Sequence, residues 1–351
     1  MPLRPQVIHL VDDSKLGGVK LALESQSESS LKQTFDFKIC ILNLHSWFPR
    51  RYSADIICLH AAASWRKLPG LCLLRLANIG TPLLYQEHHY SEYFVKHRVA
   101  KSWRFLLMLR LCYRLMTRVL SVSDAQANWM KRERLTSQDK LIVMGQAKDV
   151  TPFLMLSAKP IGRPVVLGAY GRFDSQKGFD LLLEAMTQLS PEKVELRLAG
   201  GGEELEELET KWANLPHVRF VGEVHDVPQF LSGCDAVVIP SRWEPFGLTC
   251  QESLTAGKTI ITSGVDGLNE QLEEIESLGL NRTGDLIRLA ELTPEKIVEA
   301  IDKLIDRAEA LLGDNKESNA SLGLSRQARQ IVAARWPVLL EKWREVLSKH
   351  L

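Results

Sequence analysis

The 351-residue sequence lacks the features that define several classes of protein. It has no apolar run near the roughly 20 residues that a membrane-spanning helix needs. Its first ten residues contain no basic region followed by an apolar core, so we expect no secretory signal. The six cysteines form no Cys-x-x-Cys pair and most have apolar neighbours, which favours reduced cytoplasmic thiols over a disulfide scaffold. Repeats of about 20–50 residues and low-complexity tracts are also absent.

The composition instead indicates a soluble protein with more than one domain. Hydrophobic residues make up 45% and charged residues 25% of the chain, which is ordinary for a globular protein. At roughly 150 residues per domain, the length favours two domains. Charge is unevenly divided, because residues 1–158 carry 22 basic and 12 acidic groups while the remainder is acidic. The basic half therefore suits an anionic surface or an anionic substrate.

Short apolar strands alternate with helical stretches along the whole chain. Nearly continuous apolar runs are typical of strands buried on both faces of a parallel sheet. Two such sets predict an α/β protein with two doubly wound, Rossmann-like sheets. The candidate strands are residues 7–11, 37–42, 55–60, 82–85, 119–122, 141–144, 165–170, 194–199, 218–221, 236–240 and 259–262.

The predicted boundary lies within residues 147–164, which contain three prolines and a glycine and show no clear strand or helix signal. We therefore expect one domain over residues 1–155 and a second over 156–330. Residues 331–351 are predicted to form a terminal helix that packs back on the first domain.

Two cations lie on the turn that follows the predicted strand 165–170. The turn, GRFDSQKG over residues 171–178, contains Arg172 and Lys177 and precedes a helix that begins near Phe179. Two cations and the amides of a helix N-terminus can meet at one phosphate. The alternative is a solvated turn that merely starts a helix.

A second polar turn, PSRWEPFGLTCQE over residues 240–252, follows the predicted strand 236–240. It places Glu244 on a loop and Glu252 about one turn into a helix, so each carboxylate can accept hydrogen bonds from sugar hydroxyls. The amides of Gly247 and Leu248 can hold an anion. The alternatives are a helix-terminus charge for Glu244 and a surface role for Glu252, or hydrolysis by paired carboxylates. The neighbouring cations disfavour hydrolysis.

These turns, together with GVDGLNE over residues 264–270, resemble the donor-binding half of glycosyltransferase family 4 over about residues 165–305. The resemblance implies the GT-B fold, in which two Rossmann-like domains face a central cleft. It also implies an enzyme that transfers a sugar from a nucleotide-diphosphate sugar to a hydroxyl, with retention at the anomeric carbon.

The resemblance further implies roles for individual residues. Glu244 and His88, in the Glu87-His88 step after a strand, would lie at the donor sugar and carry the chemistry. Glu252 would bind the ribose, and Gly222 would lie near the base. The implied donor-binding residues are Gly18, Arg172, Lys177, Gly222, Phe246, Gly247, Leu248 and Glu252. Lys20 stands near the position where that family usually has an acidic residue.

The expected mechanism follows from the charges that develop during transfer. Arg172, Lys177 and the helix amides would stabilise the negative charge on the leaving diphosphate. The resemblance implies attack on the same face, with the leaving phosphate assisting deprotonation of the acceptor. We expect no metal and no cofactor, because two protein cations are present and Asp12-Asp13 is a weak metal signature.

A basic stretch without Asp or Glu occupies residues 93–123. Treated as one helix, it places Lys96 and several arginines within about 120° of one another, beside Trp103. Such a face suits an anionic membrane surface, although a buried helix with a solvated arginine stripe fits as well. No nucleic-acid-binding motif is present, so nucleic acid is disfavoured. The predicted membrane-surface residues are Lys101, Trp103, Arg104, Arg110, Arg114 and Arg118.

The sequence therefore predicts a cytoplasmic glycosyltransferase, peripheral on the inner face of the membrane, that acts on a glycan or lipid-linked acceptor in cell-envelope polysaccharide or lipopolysaccharide synthesis. Two other hypotheses remain open. One is a catalytically silent nucleotide-binding scaffold or assembly protein with the same fold. The other is a peripheral membrane module whose basic helix is its main function.

Overall fold

The computed structural model describes residues 4–12, 17–45, 50–158, 162–281, 284–314 and 322–351. The chain divides into two compact units. The first unit comprises residues 1–149 and 335–351, and the second comprises residues 150–334.

The first unit is built on a parallel six-stranded sheet whose strand order is β2-β1-β3-β4-β5-β6. Strands β3 and β4 are buried along their whole length, as their apolar sequences predict. The strands are β1 (Gln6–Val11), β2 (Asp36–Ile41), β3 (Ile56–His60), β4 (Leu83–Glu87), β5 (Arg118–Ser121) and β6 (Leu141–Val143). The helices are α1 (Gly17–Glu28), α2 (Leu68–Ala77), α3 (Glu92–Arg98), α4 (Ser102–Arg114) and α5 (Asp124–Arg132), with a 3₁₀ turn at Ser30–Gln33.

The second unit repeats this architecture with the strand order β12-β11-β10-β7-β8-β9, again all parallel. Its core lies where α7 and α12 cover the central strands. The strands are β7 (Val165–Tyr170), β8 (Val194–Ala199), β9 (Val218–Gly222), β10 (Ala236–Ile239), β11 (Thr259–Thr262) and β12 (Leu286–Arg288). The helices are α6 (Thr151–Leu154), α7 (Phe179–Met186), α8 (Leu205–Trp212), α9 (Val227–Ser232), α10 (Leu248–Thr255), α11 (Gly267–Ser277) and α12 (Pro294–Asp314).

The last helix, α13 (Arg326–Ser348), continues through Pro337. Its C-terminal part packs in the first unit, where Trp343 is buried against strand residues such as Val7 and Ile56. Large aromatic burial of this kind contributes several kcal/mol to stability.

The structure corrects two expectations about secondary structure. The stretch 147–164 contains the short helix α6, although its prolines indicated irregular chain. The basic stretch 93–123 is not one helix but α3, α4 and β5 in succession. The chain is extended at Val99, where α3 ends, and Arg118 pairs in the sheet through β5.

The prediction that the basic residues share one face of a single helix is therefore wrong. Arg118 lies on a strand and Lys96 on α3, so neither continues the helix that carries Arg110 and Arg114. Trp103 and Arg104 do lie on α4 with these arginines, and Lys101 is the N-cap residue of α4. The hydrogen bonds that β5 gains in the sheet outweigh the helical pattern of its sequence.

Candidate functional site

The two polar turns of the second unit lie side by side. Strands β7 and β10 are hydrogen-bonded neighbours, so the turns that follow them meet at the carboxyl edge of the sheet. Gly178 allows the close approach, because its φ is +66° and a Cβ there would stand 2.2 Å from the carbonyl oxygen of Pro240. Any other residue would push the turns apart.

Lys177 and Glu244 form an ion pair across these two turns. The Nζ of Lys177 lies 2.5 Å from Oε2 of Glu244, and both side chains are largely buried. The carboxylate also accepts hydrogen bonds from Ser241 Oγ at 3.1 Å and Gln176 Nε2 at 3.4 Å. The backbone amide of Glu244 donates to Oδ2 of Asp266 at 3.1 Å. Charge-assisted bonds of this kind hold both groups in fixed positions.

Glu252 is held from the other side of the same edge. It lies on α10 and is only 6% exposed, so the solvated alternative does not fit. The hydroxyl of Tyr170, the last residue of β7, donates to Oε2 of Glu252 at 2.8 Å. Burial, with Glu252 adding to it, raises the pKa of Tyr170 well above its usual range. Sequence reasoning missed Tyr170, since it reads as an ordinary strand residue.

Arg172 differs from Lys177. It is exposed on the turn after β7, and its guanidinium makes no hydrogen bond or ion pair within the described residues, although its carbonyl accepts from the amide of Asp174 at 3.0 Å. The turn itself is supported by Arg242, which bonds both carboxylate oxygens of Asp180 at 2.9 and 2.6 Å and donates to the Ser175 carbonyl at 2.8 Å. Neither Arg242 nor Asp180 was predicted as part of the site.

The N-terminus of α10 opens on the same edge. Gly247, whose φ is +94°, precedes Leu248, the first residue of the helix. The carbonyls of Phe246 and Gly247 accept hydrogen bonds from Nε2 of Gln271 at 2.8 and 3.1 Å, which fixes the loop from behind. Gly222 ends β9 with φ of +76°, and a Cβ there would meet open space. The structure thus brings together the loop carrying Glu244, the helix carrying Glu252 and Lys177.

The predicted first-unit residues lie at the carboxyl edge of their own sheet. His88 directly follows β4. The preceding Glu87 is fully buried and accepts hydrogen bonds from the amides of His89 at 2.7 Å and Tyr90 at 3.1 Å and from the hydroxyl of Tyr113 at 2.6 Å. Burial raises the pKa of Glu87 to about 7. Glu87 therefore shapes the turn that presents His88.

The imidazole of His88 is itself held by other histidines. Its Nε2 lies 3.0 Å from Nδ1 of His60, and Nε2 of His60 lies 2.9 Å from Nδ1 of His9. Burial lowers the pKa of His88 to about 3 and that of His9 to about 4. Sequence reasoning did not find His9 or His60, because both read as strand interior.

The remaining predictions concern the start of the chain and metals. Gly18 lies in the first turn of α1, and residues 13–16, which precede it, lie outside the described residues. Asp12 bonds the Nζ of Lys67 at 2.6 Å. Among the described residues, no three His, Cys, Asp or Glu side chains are arranged to hold a metal ion. Metal-independent action stays a prediction.

Helix α4 exposes an apolar stripe. Trp103 is 69% exposed, and Leu107 and Leu111 follow at intervals of four residues on the same face. Arg114 lies at the end of this face, beside a cavity of about 640 Å³. The cavity is lined by Arg110, Arg114, Lys131, Arg134, Leu135, Thr136, Ser137, Gln138 and Lys140. Over the described ranges, no helix has the length and apolar character needed to cross a membrane.

Comparison with known proteins gives a family match for part of the chain. Residues 157–318 match the family described as glycosyl transferases group 1. The chain is 34% identical to the glycogen synthase of Aromatoleum aromaticum over 151 residues, which are 40% of this chain and 30% of that protein. It is 27% identical to the lipopolysaccharide core biosynthesis mannosyltransferase LpsB of Rhizobium meliloti over 181 residues, which are 48% of this chain and 50% of that protein. The chain thus spans half or less of the length of these two relatives.

Solved structures define the fold of the whole chain. Anabaena Alr3699/HepE, in complex with UDP and glucose, superposes with a TM-score of 0.69 at 18% identity, covering 98% of this chain and 100% of that one. Together with the two parallel six-stranded sheets, this confirms the predicted α/β class and the GT-B fold. In its second unit, the chain carries a segment similar to group 1 glycosyl transferases. The narrower assignment to family 4 stays a prediction.

Proposed function

We propose that this protein is a glycosyltransferase that moves a sugar from a nucleotide-diphosphate sugar to a hydroxyl, with retention. The observation that carries the proposal is the Lys177–Glu244 pair at the meeting edge of β7 and β10, with Glu252 held by Tyr170 beside it. A cation, two positioned carboxylates and a helix N-terminus converge there within a segment similar to group 1 glycosyltransferases. The second unit binds the donor, and the first binds the acceptor.

The chemistry follows from where charge develops. Cleavage of the sugar–phosphate bond leaves negative charge on the diphosphate, which Lys177, Arg172 and the first amides of α10 stabilise. Glu252 accepts hydrogen bonds from the ribose, and Glu244 contacts the donor sugar. The acceptor hydroxyl attacks on the face from which the phosphate leaves, and that phosphate takes the proton. Neither a metal nor a cofactor enters this scheme.

The acceptor class is drawn from the relatives. One relative is named for mannose transfer in lipopolysaccharide core biosynthesis, and one solved structure holds UDP with glucose. We therefore propose a hexosyl or related transfer in the synthesis of cell-envelope polysaccharide or lipopolysaccharide, with a glycan or lipid-linked acceptor. The proposed location is the cytoplasm.

The donor is found first by thermal shift with a panel of nucleotide sugars, since a ligand that binds the folded state raises the melting temperature. Lys177→Ala and Glu252→Ala should then abolish transfer while leaving the folded state intact. The matched controls are Lys193→Ala and Glu209→Ala, which remove the same charges from exposed positions of the second unit. Near-normal turnover in Lys177→Ala or Glu252→Ala would show that the site assignment is wrong. Donor binding without transfer to any acceptor would favour the scaffold hypothesis instead.

We also propose that α4 makes peripheral contact with an anionic membrane surface. The exposed stripe Trp103, Leu107 and Leu111 supplies apolar contact, and the cation-lined cavity at the end of α4 supplies attraction for lipid phosphates. In flotation with vesicles containing phosphatidylglycerol, the wild type should bind at low salt and release at high salt. The double variant Trp103→Ser/Arg114→Gln should lose binding, whereas Lys38→Gln, an exposed position on β2, should keep it. Equal binding to neutral phosphatidylcholine vesicles would contradict the proposal.

A further inference from the structure

Three histidines form a continuous hydrogen-bonded chain through the sheet of the first unit. We propose that His60 is a positioning residue for His88, and that the chain His9–His60–His88 fixes the tautomer of His88 so that Nδ1–H is the group presented to a sugar ligand at the carboxyl edge of this sheet. The inference rests on the proposed function only for the identity of that ligand. The chain itself is a property of the folded protein.

Sheet order brings the three imidazoles together. Strands β1, β3 and β4 are consecutive neighbours, and His9 on β1 lies opposite Cys58, two residues before His60. Leu59, next to His60, lies opposite Tyr85, three residues before His88. Each histidine therefore lies nearer the carboxyl edge than the one before it. The chain runs from the buried interior, where His9 and His60 are 0% exposed, to the edge where ligands bind in such sheets.

The two hydrogen bonds make the tautomers of the three imidazole rings depend on one another. All three are neutral near pH 7, since burial lowers the pKa of each one. A neutral imidazole has one donor and one acceptor nitrogen. In the two bonds, Nδ1 of His9 meets Nε2 of His60, and Nδ1 of His60 meets Nε2 of His88. The three rings must therefore share one tautomer, either all Nδ1–H or all Nε2–H.

The ends of the chain distinguish the two arrangements. At the inner end, Nε2 of His9 is buried and has no hydrogen-bond partner among the described residues. The ring there stacks on Phe37 at 5.6 Å and meets Trp343 edge to face at 6.1 Å. An all-Nε2–H chain would leave an unpaired N–H in this apolar site, which is rarer in proteins than an unpaired acceptor. At the outer end, Nδ1 of His88 is also buried without a hydrogen-bond partner among the described residues. This nitrogen follows β4 at the carboxyl edge of the sheet, however, where an oxygen of a ligand can accept from an N–H.

Both ends thus favour the all-Nδ1–H arrangement. Nε2 of His88 then accepts from His60 and is occupied, and Nδ1–H is the ring group left to donate to an oxygen of the ligand. Without His60, the His88 ring is free to rotate and to exchange tautomers. A neutral donor suits a sugar hydroxyl, whereas the other tautomer would present a lone pair.

The first test is spectroscopic and needs no turnover. In the full-length protein labelled with ¹⁵N-histidine, Nδ1 of His88 should show the shift of a protonated nitrogen and Nε2 that of an unprotonated one. A coupling across the hydrogen bond should join Nδ1 of His60 to Nε2 of His88. His60→Leu should abolish the coupling and mix the tautomers, whereas the opposite tautomer in the wild type would overturn the proposal.

The second test measures transfer with the donor identified by the thermal-shift panel. His60→Leu should lower kcat/KM about tenfold, the loss expected for one hydrogen bond. His60→Asn should restore most of it, because a carboxamide can donate to Nε2 of His88 from the position of Nδ1. If folded His60→Leu matches the wild type in both turnover and His88 shifts, or if folded His60→Asn loses as much turnover as His60→Leu, the positioning role is refuted. If the wild type transfers no sugar, the proposed function fails, and the His88 shifts alone still decide the tautomer claim.

Discussion

The buried histidines make a defined prediction about stability in acid. The pKa of His9 is about 4 and that of His88 about 3 in the folded protein, against about 6.5 in an unfolded chain. The unfolded state therefore binds more protons below pH 6.5, and folding stability falls as the pH falls. Between about pH 7 and about pH 5, each of these histidines should remove about 2 kcal/mol from the free energy of unfolding. His60, whose pKa is also lowered by burial, adds a loss of the same sign.

Glu87 opposes this loss. Its pKa is raised to about 7 in the folded state, so the folded protein binds the extra proton and gains stability as the pH falls toward the unfolded value near 4.5. Over the same pH interval the gain is about 2 kcal/mol. The acid sensitivity of the first unit is therefore the difference between terms of opposite sign.

Two variants separate these terms in urea unfolding measured near pH 7 and near pH 5. His9→Phe should reduce the acid-induced loss by about 2 kcal/mol, and Glu87→Gln should increase it by a similar amount. Hydrogen exchange of peptides from β1 and β4 assigns the transition to the first unit, since a two-unit chain need not unfold in one step. The reasoning is refuted if the two variants change the pH dependence in the same direction, or not at all.

Three further predictions concern packing and backbone. Gly178→Ala should lower the free energy of unfolding by about 1 kcal/mol or more, and with it the melting temperature, because a Cβ at φ +66° meets the Pro240 carbonyl. An unchanged melting temperature would contradict the close approach. Asp266→Gly should weaken donor binding, because Oδ2 no longer accepts from the backbone amide of Glu244, while the backbone strain of φ +47° is relieved; a donor titration that matches the wild type would contradict this. Trp343→Ala should destabilise the first unit by about 3–5 kcal/mol and leave the second unit's transition in place, as unit-resolved hydrogen exchange would show.

The strands were predictable because burial on both faces leaves a plain apolar signal. All eleven predicted strands exist in the described residues, with ends that differ by no more than a few positions. The missed strand, β12, has only three residues and ends in Arg288, so it offers no run to detect. The prediction of one basic helix over residues 93–123 was wrong because the helical periodicity of the sequence continues through Arg118. In the structure, Arg118 instead pairs with a neighbouring strand of the sheet.

The site was predictable where its residues share a turn and unpredictable where they do not. Glycine and charge in the turn 171–178 pointed to Lys177, and the spacing of the second turn pointed to Glu244 and Glu252. The contacts of Tyr170 and the chain through His9 depend on strand order, which places residues far apart in sequence on neighbouring strands. No local pattern carries that information.

On the proposed function, the charges at the carboxyl edge of the second unit's sheet give the two predicted cations different roles. Lys177 is already neutralised by Glu244, so in the free protein this pair adds little net attraction for an anion but holds the ammonium in place. Arg172 has no ion-pair partner among the described residues, so its charge is available to an incoming diphosphate. On the proposed function, attraction of the donor would depend chiefly on Arg172 and the α10 amides, whereas Lys177 would act once the diphosphate has arrived. Its ammonium can then turn from the single carboxylate of Glu244 to the greater negative charge that develops as the sugar–phosphate bond breaks.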